Sequence, residues 1–255
     1  MMHSFAHGLG DKLAEVKFFA GKSRGGFSGG TIASMMHIVD EAKRDPSLRR
    51  LLADPYALNP RLSPRGPDGA DTMGVAFDEG LREWTGPFVM AAVNTRVVRR
   101  SNALLGFPYG EDFRYSERTA CGGGPKGFAR ATALTAGLGA FFAAMTWPPS
   151  RSLIAKKLPA QGEGPSREAR ERGFFRVHLL TTLRSGRRLR GLVAGTKDPG
   201  YGETAKMLGE SALCLARDEA PEVRGGLWTP ASCMGMALVE RLRSAGMTFT
   251  AEADA

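Results

Sequence analysis

Cysteine is scarce: Cys121, Cys214 and Cys233 are odd in number and form no C-x-x-C pair. That excludes a disulfide framework, gives no zinc site and points to a reducing compartment. Histidine is scarce too, with four in 255 residues. His3 and His7 are spaced to share a helix face, but without a third ligand they make no metal centre, and none is expected. The opening Met-Met-His-Ser-Phe-Ala-His-Gly lacks a cationic flank followed by an apolar run. No secretory signal is read, and a cytoplasmic protein, not a secreted one, is expected. A complete phosphate loop is also missing. Gly21-Lys22-Ser23 ends like a Walker A motif, yet Val16 stands where that motif needs its first glycine. Gly122, Gly124 and Gly127 do satisfy G-x-G-x-x-G. The acid required about twenty residues on is absent, however, and Pro125 removes a loop N–H.

What is present describes a globular chain. Charged residues at 24% and hydrophobic residues at 42% exclude general disorder, while 33 glycines and 15 prolines imply many loops. A net charge of +9 favours anionic partners, among them cofactor phosphates, lipid headgroups and nucleic acid. Nucleic acid is not expected, because the arginine clusters lack interleaved aromatics and no base-reading motif appears.

The organising stretch is 24–33, Arg-Gly-Gly-Phe-Ser-Gly-Gly-Thr-Ile-Ala, lying between a strand over 14–20 and a helix over 31–43. Its glycines allow close backbone approach, and the helix that follows offers free N–H groups. The loop is either ligand-facing or a plain tight connection. Ser28 or Thr31 would cap that helix, with Ile32, Met35, Met36 and Val39 on its core face. Residues 45–78, rich in Pro, Asp, Arg and Gly, read as a lid-like surface excursion. Pro87 suits the first turn of a helix running to Leu104. That helix brings Arg96, Arg99, Arg100, Ser101 and Asn102 together, either as forks for a carboxylate or phosphate or as a solvated basic face.

Residues 113–120 alternate as a strand. Residues 131–147 are uncharged and apolar at the lower limit of a bilayer span, and 150–158 are short, cationic and amphipathic. The 131–158 segment therefore contacts a membrane or is a helix buried in the core. Strands over 174–183 and 189–196 form a hairpin around Arg184-Ser185-Gly186-Arg187. A helix ending at Arg217 presents Ala205, Gly209 and Ala212 as a smooth face for a sheet. Thr229 caps a last helix with Pro230 in its first position, and Gly246 ends it. The mixed element order predicts an α+β (α/β-like) fold, a mixed sheet with packing helices.

Four stretches together carry a resemblance: Arg-Gly-Gly-Phe-Ser-Gly-Gly-Thr (24–31), Val-Val-Arg-Arg-Ser-Asn-Ala-Leu (97–104), Lys-Asp-Pro-Gly-Tyr-Gly-Glu-Thr (197–204) and Trp-Thr-Pro-Ala-Ser (228–232). In this order they resemble the saccharopine-dehydrogenase-like oxidoreductases, in particular their trans-acting enoyl reductase branch. The resemblance implies that 1–255 corresponds to the substrate-side, C-terminal domain of a two-domain NADP-dependent oxidoreductase. The chain then looks like an N-terminally truncated member, a split gene product or a product of a mispredicted start. It further implies reduction of an enoyl group on a lipid or polyketide chain in glycolipid assembly, with NADPH as donor and a membrane or lipid-droplet surface nearby. NADP would require a separate dinucleotide-binding domain and would not bind this chain alone. Ser28, Gly29, Gly30, Thr31, Arg99, Arg100 and Ser101 become the expected walls of the cleft. No catalytic residue follows from the resemblance. The alternative is a non-catalytic module that binds lipid or a membrane surface.

Overall fold

A computed structural model describes residues 1–25, 29–155, 163–217 and 225–254. The chain opens with helix α1 (Met2–Gly8) and strand β1 (Leu13–Arg24). It continues through α2 (Gly29–Arg44), α3 (Pro46–Ala53), β2 (Ala76–Asp78), β3 (Glu83–Pro87), α4 (Ala91–Leu104) and β4 (Arg114–Gly122). Then come α5 (Gly124–Thr146), α6 (Pro148–Ala155), α7 (Arg167–Glu171), β5 (Phe174–Leu183), β6 (Arg188–Gly195), α8 (Gly202–Arg217), α9 (Pro230–Cys233), α10 (Gly235–Ser244) and β7 (Thr248–Ala253).

The strands form one open sheet in the order β2-β3-β4-β1-β5-β6-β7. Among the described residues only β1 and β4 run parallel; every other neighbouring pair is antiparallel. The sheet is therefore mixed, as the element order predicts. Its most regular part is the β5–β6 hairpin, closed by Leu183 N–H donating to Arg187 O (2.9 Å), with Gly186 at φ +85° supplying the left-handed residue of the turn. Lateral register puts Tyr115 beside Val16, Glu117 beside Phe18, Phe18 beside Leu179, and Val177 beside Val193, which neighbours Phe249. Because side chains alternate along a strand, these residues share one sheet face.

Two apolar clusters build on this face. One joins Met2 and Ala6 of α1 to Leu13, Val16, Phe113, Tyr115, Leu183 and Leu189. The other joins Cys214 of α8 to Cys233, Met234, Leu238, Leu242 and Met247. Gly191 lets α1 sit on β6, since a Cβ there would lie 2.7 Å from Met2 Sδ.

Several local expectations need correction. Pro87 does not open a helix; it ends β3, opposite Arg118. β2 pairs only with residues 83–85 of β3, so no strand hydrogen bond on that side needs the N–H that proline lacks, and Pro87 O accepts from Thr119 Oγ1 (3.0 Å). Ala205, Gly209 and Ala212 of α8 are exposed. The buried positions are Glu203 and Cys214, so the small residues face away from the sheet. The last helix is broken: the Thr229–Ser232 capping box starts α9, and Met234 separates it from α10. The excursion holds a helix, α3, with Asp45 as its cap.

Residues 131–147 lie in or just beyond α5, whose apolar 18-residue window is only 11% buried, so a core helix is not what forms. The helix packs one side on β3 and β4 and meets α2 through Phe141, Phe142, Met145, Met35, Met36 and Val39. Asp40 of α2 pairs with Arg151 of α6. Residues 156–158 of the cationic stretch lie outside the described residues.

Candidate functional site

The arginines of α4 face inward, against the expectation of a solvated face. Arg96 and Arg99 are 6% and 5% exposed. Arg96 pairs with Asp71 and donates to Leu52 O (3.2 Å). Arg99 donates through Nε to Asp68 Oδ2 (2.8 Å), through Nη1 to Pro55 O (3.1 Å) and through Nη2 to Tyr115 O (3.1 Å). Its guanidinium also lies 5.4 Å from the centre of the Tyr56 ring. Arg100 donates to Leu58 O and to Leu227 O (2.7 Å). Ser101 Oγ donates to Val97 O (2.7 Å) and shares a hydrogen bond with Thr229 Oγ1 (2.7 Å), tying α4 to α9. Planar guanidinium forks suit such convergent carbonyl and carboxylate acceptors. These bonds fasten the 52–71 part of the excursion to the sheet.

The glycine loop is held at another place. Ser28 lies outside the described residues. Gly29 begins α2, and its N–H donates to Glu163 O (3.1 Å), whose carbonyl also accepts from Tyr201 Oη (3.0 Å); Gly30 is exposed and Thr31 lies in the first turn. Gly25 lies under the 197–204 stretch, where a Cβ would stand 2.2 Å from Asp198 Oδ1. Asp198 accepts from Tyr201 N–H (2.6 Å), and Glu203 Oε1 accepts from the N–H groups of Thr196 and Lys197 (3.0 Å each), with Lys206 paired to Oε2. The hydrogen bonds of Arg99, Arg100 and Ser101 reach 55–68, 97, 115, 227 and 229, not 29–31.

Between the two apolar clusters the sheet face is left open as a trough of about 900 Å³. Phe18, Val177, Leu179, Val193 and Phe249 form its floor, and Met207, Leu238 and Leu242 one wall. Its size and apolar lining suit a small-molecule or chain-like ligand. One end is polar, with His3, Asn94, Tyr109 and Tyr115. The rings there are continuous, with centroids 5.2 Å apart for His3–Tyr109, 5.4 Å for Tyr109–Phe113 and 6.3 Å for Phe113–Tyr115. His3 Nδ1 is buried with no hydrogen-bond partner.

Beneath this end lies Glu117, 5% exposed, an unusual place for a carboxyl. Tyr115 Oη donates to its Oε1 (2.8 Å) and Asn94 Nδ2 to its Oε2 (3.0 Å). Burial pushes Glu117 up to about 7; the hydrogen bonds from Tyr115 and Asn94 pull it down, Asp71 adds to the rise and Arg99 opposes it. Burial also pushes the Tyr115 hydroxyl well above its usual range, and the Glu117 charge adds to this. Behind Glu117 is a second, polar pocket of about 90 Å³ lined by Asp68, Asp71, Thr72, Arg99, Tyr115 and Glu117. Reading the sequence residue by residue missed this set. Its signal is a glutamate two residues after Tyr115, on the inward phase of an alternating strand.

The Gly122–Gly127 turn does join a strand to a helix, but it does not fit a dinucleotide. Gly122 N–H donates to Glu83 Oε2 (3.0 Å), which sets a carboxylate where a phosphate would bind. Gly127 serves packing instead: a Cβ there would be 1.8 Å from Gly122 O. His3 and His7 have ring centroids 6.2 Å apart, and no group of three metal-ligating side chains occurs among the described residues.

The chain is similar to proteins named trans-acting enoyl reductase. It is 40% identical over 237 residues to one from Mycobacterium ulcerans, covering 88% of this chain and 56% of that protein. It is 40% identical over 238 residues to one from Mycobacterium bovis, covering 87% and 55%. A Mycobacterium tuberculosis protein that carries the name provisionally is 42% identical over 246 residues, covering 89% and 56%. The chain thus spans about half the length of the curated relatives it matches. No protein-family model matches the chain, and no solved structure does.

Proposed function

We propose that this chain is the acyl-binding, substrate-side part of an enoyl reductase acting on lipid or polyketide chains in glycolipid assembly. The observation that carries the reading is the apolar trough of about 900 Å³ with one polar end, which suits a long chain ending in a carbonyl. The names of the relatives supply the reaction class. The reducing equivalent is a hydride from a nicotinamide dinucleotide, held by a separate dinucleotide-binding domain, because the Gly122–Gly127 turn does not fit one. On this reading Gly29 to Thr31 and the arginine helix support the fold around the trough, and the excursion over 45–78 closes the polar pocket behind it. The test is paired titration of the isolated chain: a fluorescent fatty acyl ester binds saturably, and NADPH does not bind in the low micromolar range. Tight NADPH binding, or no acyl binding, would overturn the division of labour.

A second reading concerns α5 and favours membrane or lipid-droplet contact by a cytoplasmic protein. The helix is 23 residues long, by length and composition enough to cross a bilayer, and leaves Ala133, Ala136 and Ala140 exposed. With Lys126 and Arg130 at its start, it supplies apolar surface beside charge attracted to anionic headgroups. Flotation with anionic vesicles tests it: wild type floats and Ala136→Glu/Ala140→Glu does not.

A further inference from the structure

We propose that Tyr115 is the head-group contact of the trough, donating its hydroxyl hydrogen to the carbonyl oxygen of a bound acyl ester or thioester, and that Glu117 decides whether this donor is free. The inference rests on the acyl-trough reading. Three observations converge on it. Tyr115 lines both the trough and the polar pocket behind it. Both Glu117 oxygens are already engaged, Oε1 by Tyr115 and Oε2 by Asn94. At the same end, His3 Nδ1 is a buried polar atom without a partner, as expected where a polar ligand group completes the site.

The chemistry follows from counting hydrogens. Asn94 Nδ2 can only donate, so Oε2 accepts in either state of Glu117. With Glu117 ionised, Oε1 must accept as well, and the tyrosine hydrogen is fixed on the carboxylate. With Glu117 neutral, its proton sits on Oε1 and donates to Tyr115 Oη, so the tyrosine hydrogen can turn to a ligand oxygen in the trough. A neutral carboxyl near pH 7 is what this burial favours. The other charged groups on this pocket are Asp68 and Asp71 from the excursion and Arg99 from α4, with Arg96 paired to Asp71; β1 presents Phe18. His3, at the same end, is held below its ordinary value first by burial and then by His7 and the N-terminal charge.

The experiment measures binding of parinaric acid methyl ester by fluorescence from pH 6.5 to 8.5. Diphenylhexatriene serves as an apolar probe without a carbonyl, and a thermal melt is recorded for each variant. Wild type should bind the ester about tenfold more weakly at the upper pH, the worth of one buried hydrogen bond to a ligand. Tyr115→Phe should bind it about tenfold more weakly at pH 6.5 and lose the pH dependence. Glu117→Gln should keep the tighter affinity throughout, because its amide N–H donates to Tyr115 Oη as the neutral acid does. Diphenylhexatriene binding should ignore all three changes. If neither probe binds wild type, the trough reading itself falls and the inference with it. If the ester binds but ignores both pH and Tyr115→Phe, or Glu117→Gln keeps the pH dependence, the head-group assignment alone is overturned. Should Tyr115→Phe fail to fold, the Glu117→Gln and two-probe comparisons still decide.

Discussion

Replacing Glu117 with glutamine should stabilise the protein at alkaline pH, although glutamate makes two good hydrogen bonds. The reasoning is linkage. In the unfolded chain Glu117 titrates near its ordinary 4.5, and in the folded chain near 7. The folded state therefore binds more protons between these values, and stability must fall as pH rises across the window, then level off above it. The rise from 4.5 to about 7 corresponds to a loss of about 3 kcal/mol. At 5% exposure there is little solvent screening to reduce that figure. The glutamine amide carries no charge, and it can still accept from Asn94 and donate to Tyr115. Urea unfolding of wild type and Glu117→Gln in parallel from pH 5 to 8.5 isolates the contribution, since other titrating groups cancel in the difference. The variant should be about as stable as wild type at pH 5 and about 3 kcal/mol more stable at pH 8. A difference that stays constant with pH, or a variant weaker than wild type at pH 8, would refute the argument.

Arg99→Ala should cost about 3 kcal/mol, because Asp68 is left buried without its partner, and limited proteolysis should then cut within 55–75. Arg100→Ala, which loses only two carbonyl contacts of a half-buried side chain, should cost about 1 kcal/mol by urea unfolding. Gly127→Ala should lower soluble yield and the melting temperature sharply, since the new Cβ meets the Gly122 carbonyl oxygen at 1.8 Å and neither backbone can retreat cheaply.

What the sequence made legible was local chemistry. The hairpin and the capped α9 start each need a particular residue at a particular place, and such needs show in the residues themselves. The pairing of β1 with β4 was not legible, because it joins residues about a hundred apart and no local pattern encodes it. That pairing puts Tyr115 beside Val16 and Glu117 beside Phe18, so it also creates the trough floor and its polar end. Arg99 shows the same limit from the other side. A basic helix face reads as solvated until a distant acidic loop is known to cover it, and Asp68 and Asp71 do so here.

Two of the stretches that carried the resemblance have a physical role in holding elements of the fold together. Residues 197–204 lock β6 to α8 through Asp198 and Glu203, and 228–232 join α9 to α4 through Thr229 and Ser101. Both α8 and α9 supply residues to the trough, Met207 and Pro230 among them, and Pro199 and Ala231 of the same stretches line it too, so these locks set the width of its wall. A chain-like ligand asks little of an apolar wall beyond volume, and many residues satisfy that. The bonds that hold the wall in place demand specific donors and acceptors at fixed spacing. Recognisable motifs therefore gather at the supports of this site, while the part that selects the ligand head, Tyr115 above Glu117, is written in two residues of a strand.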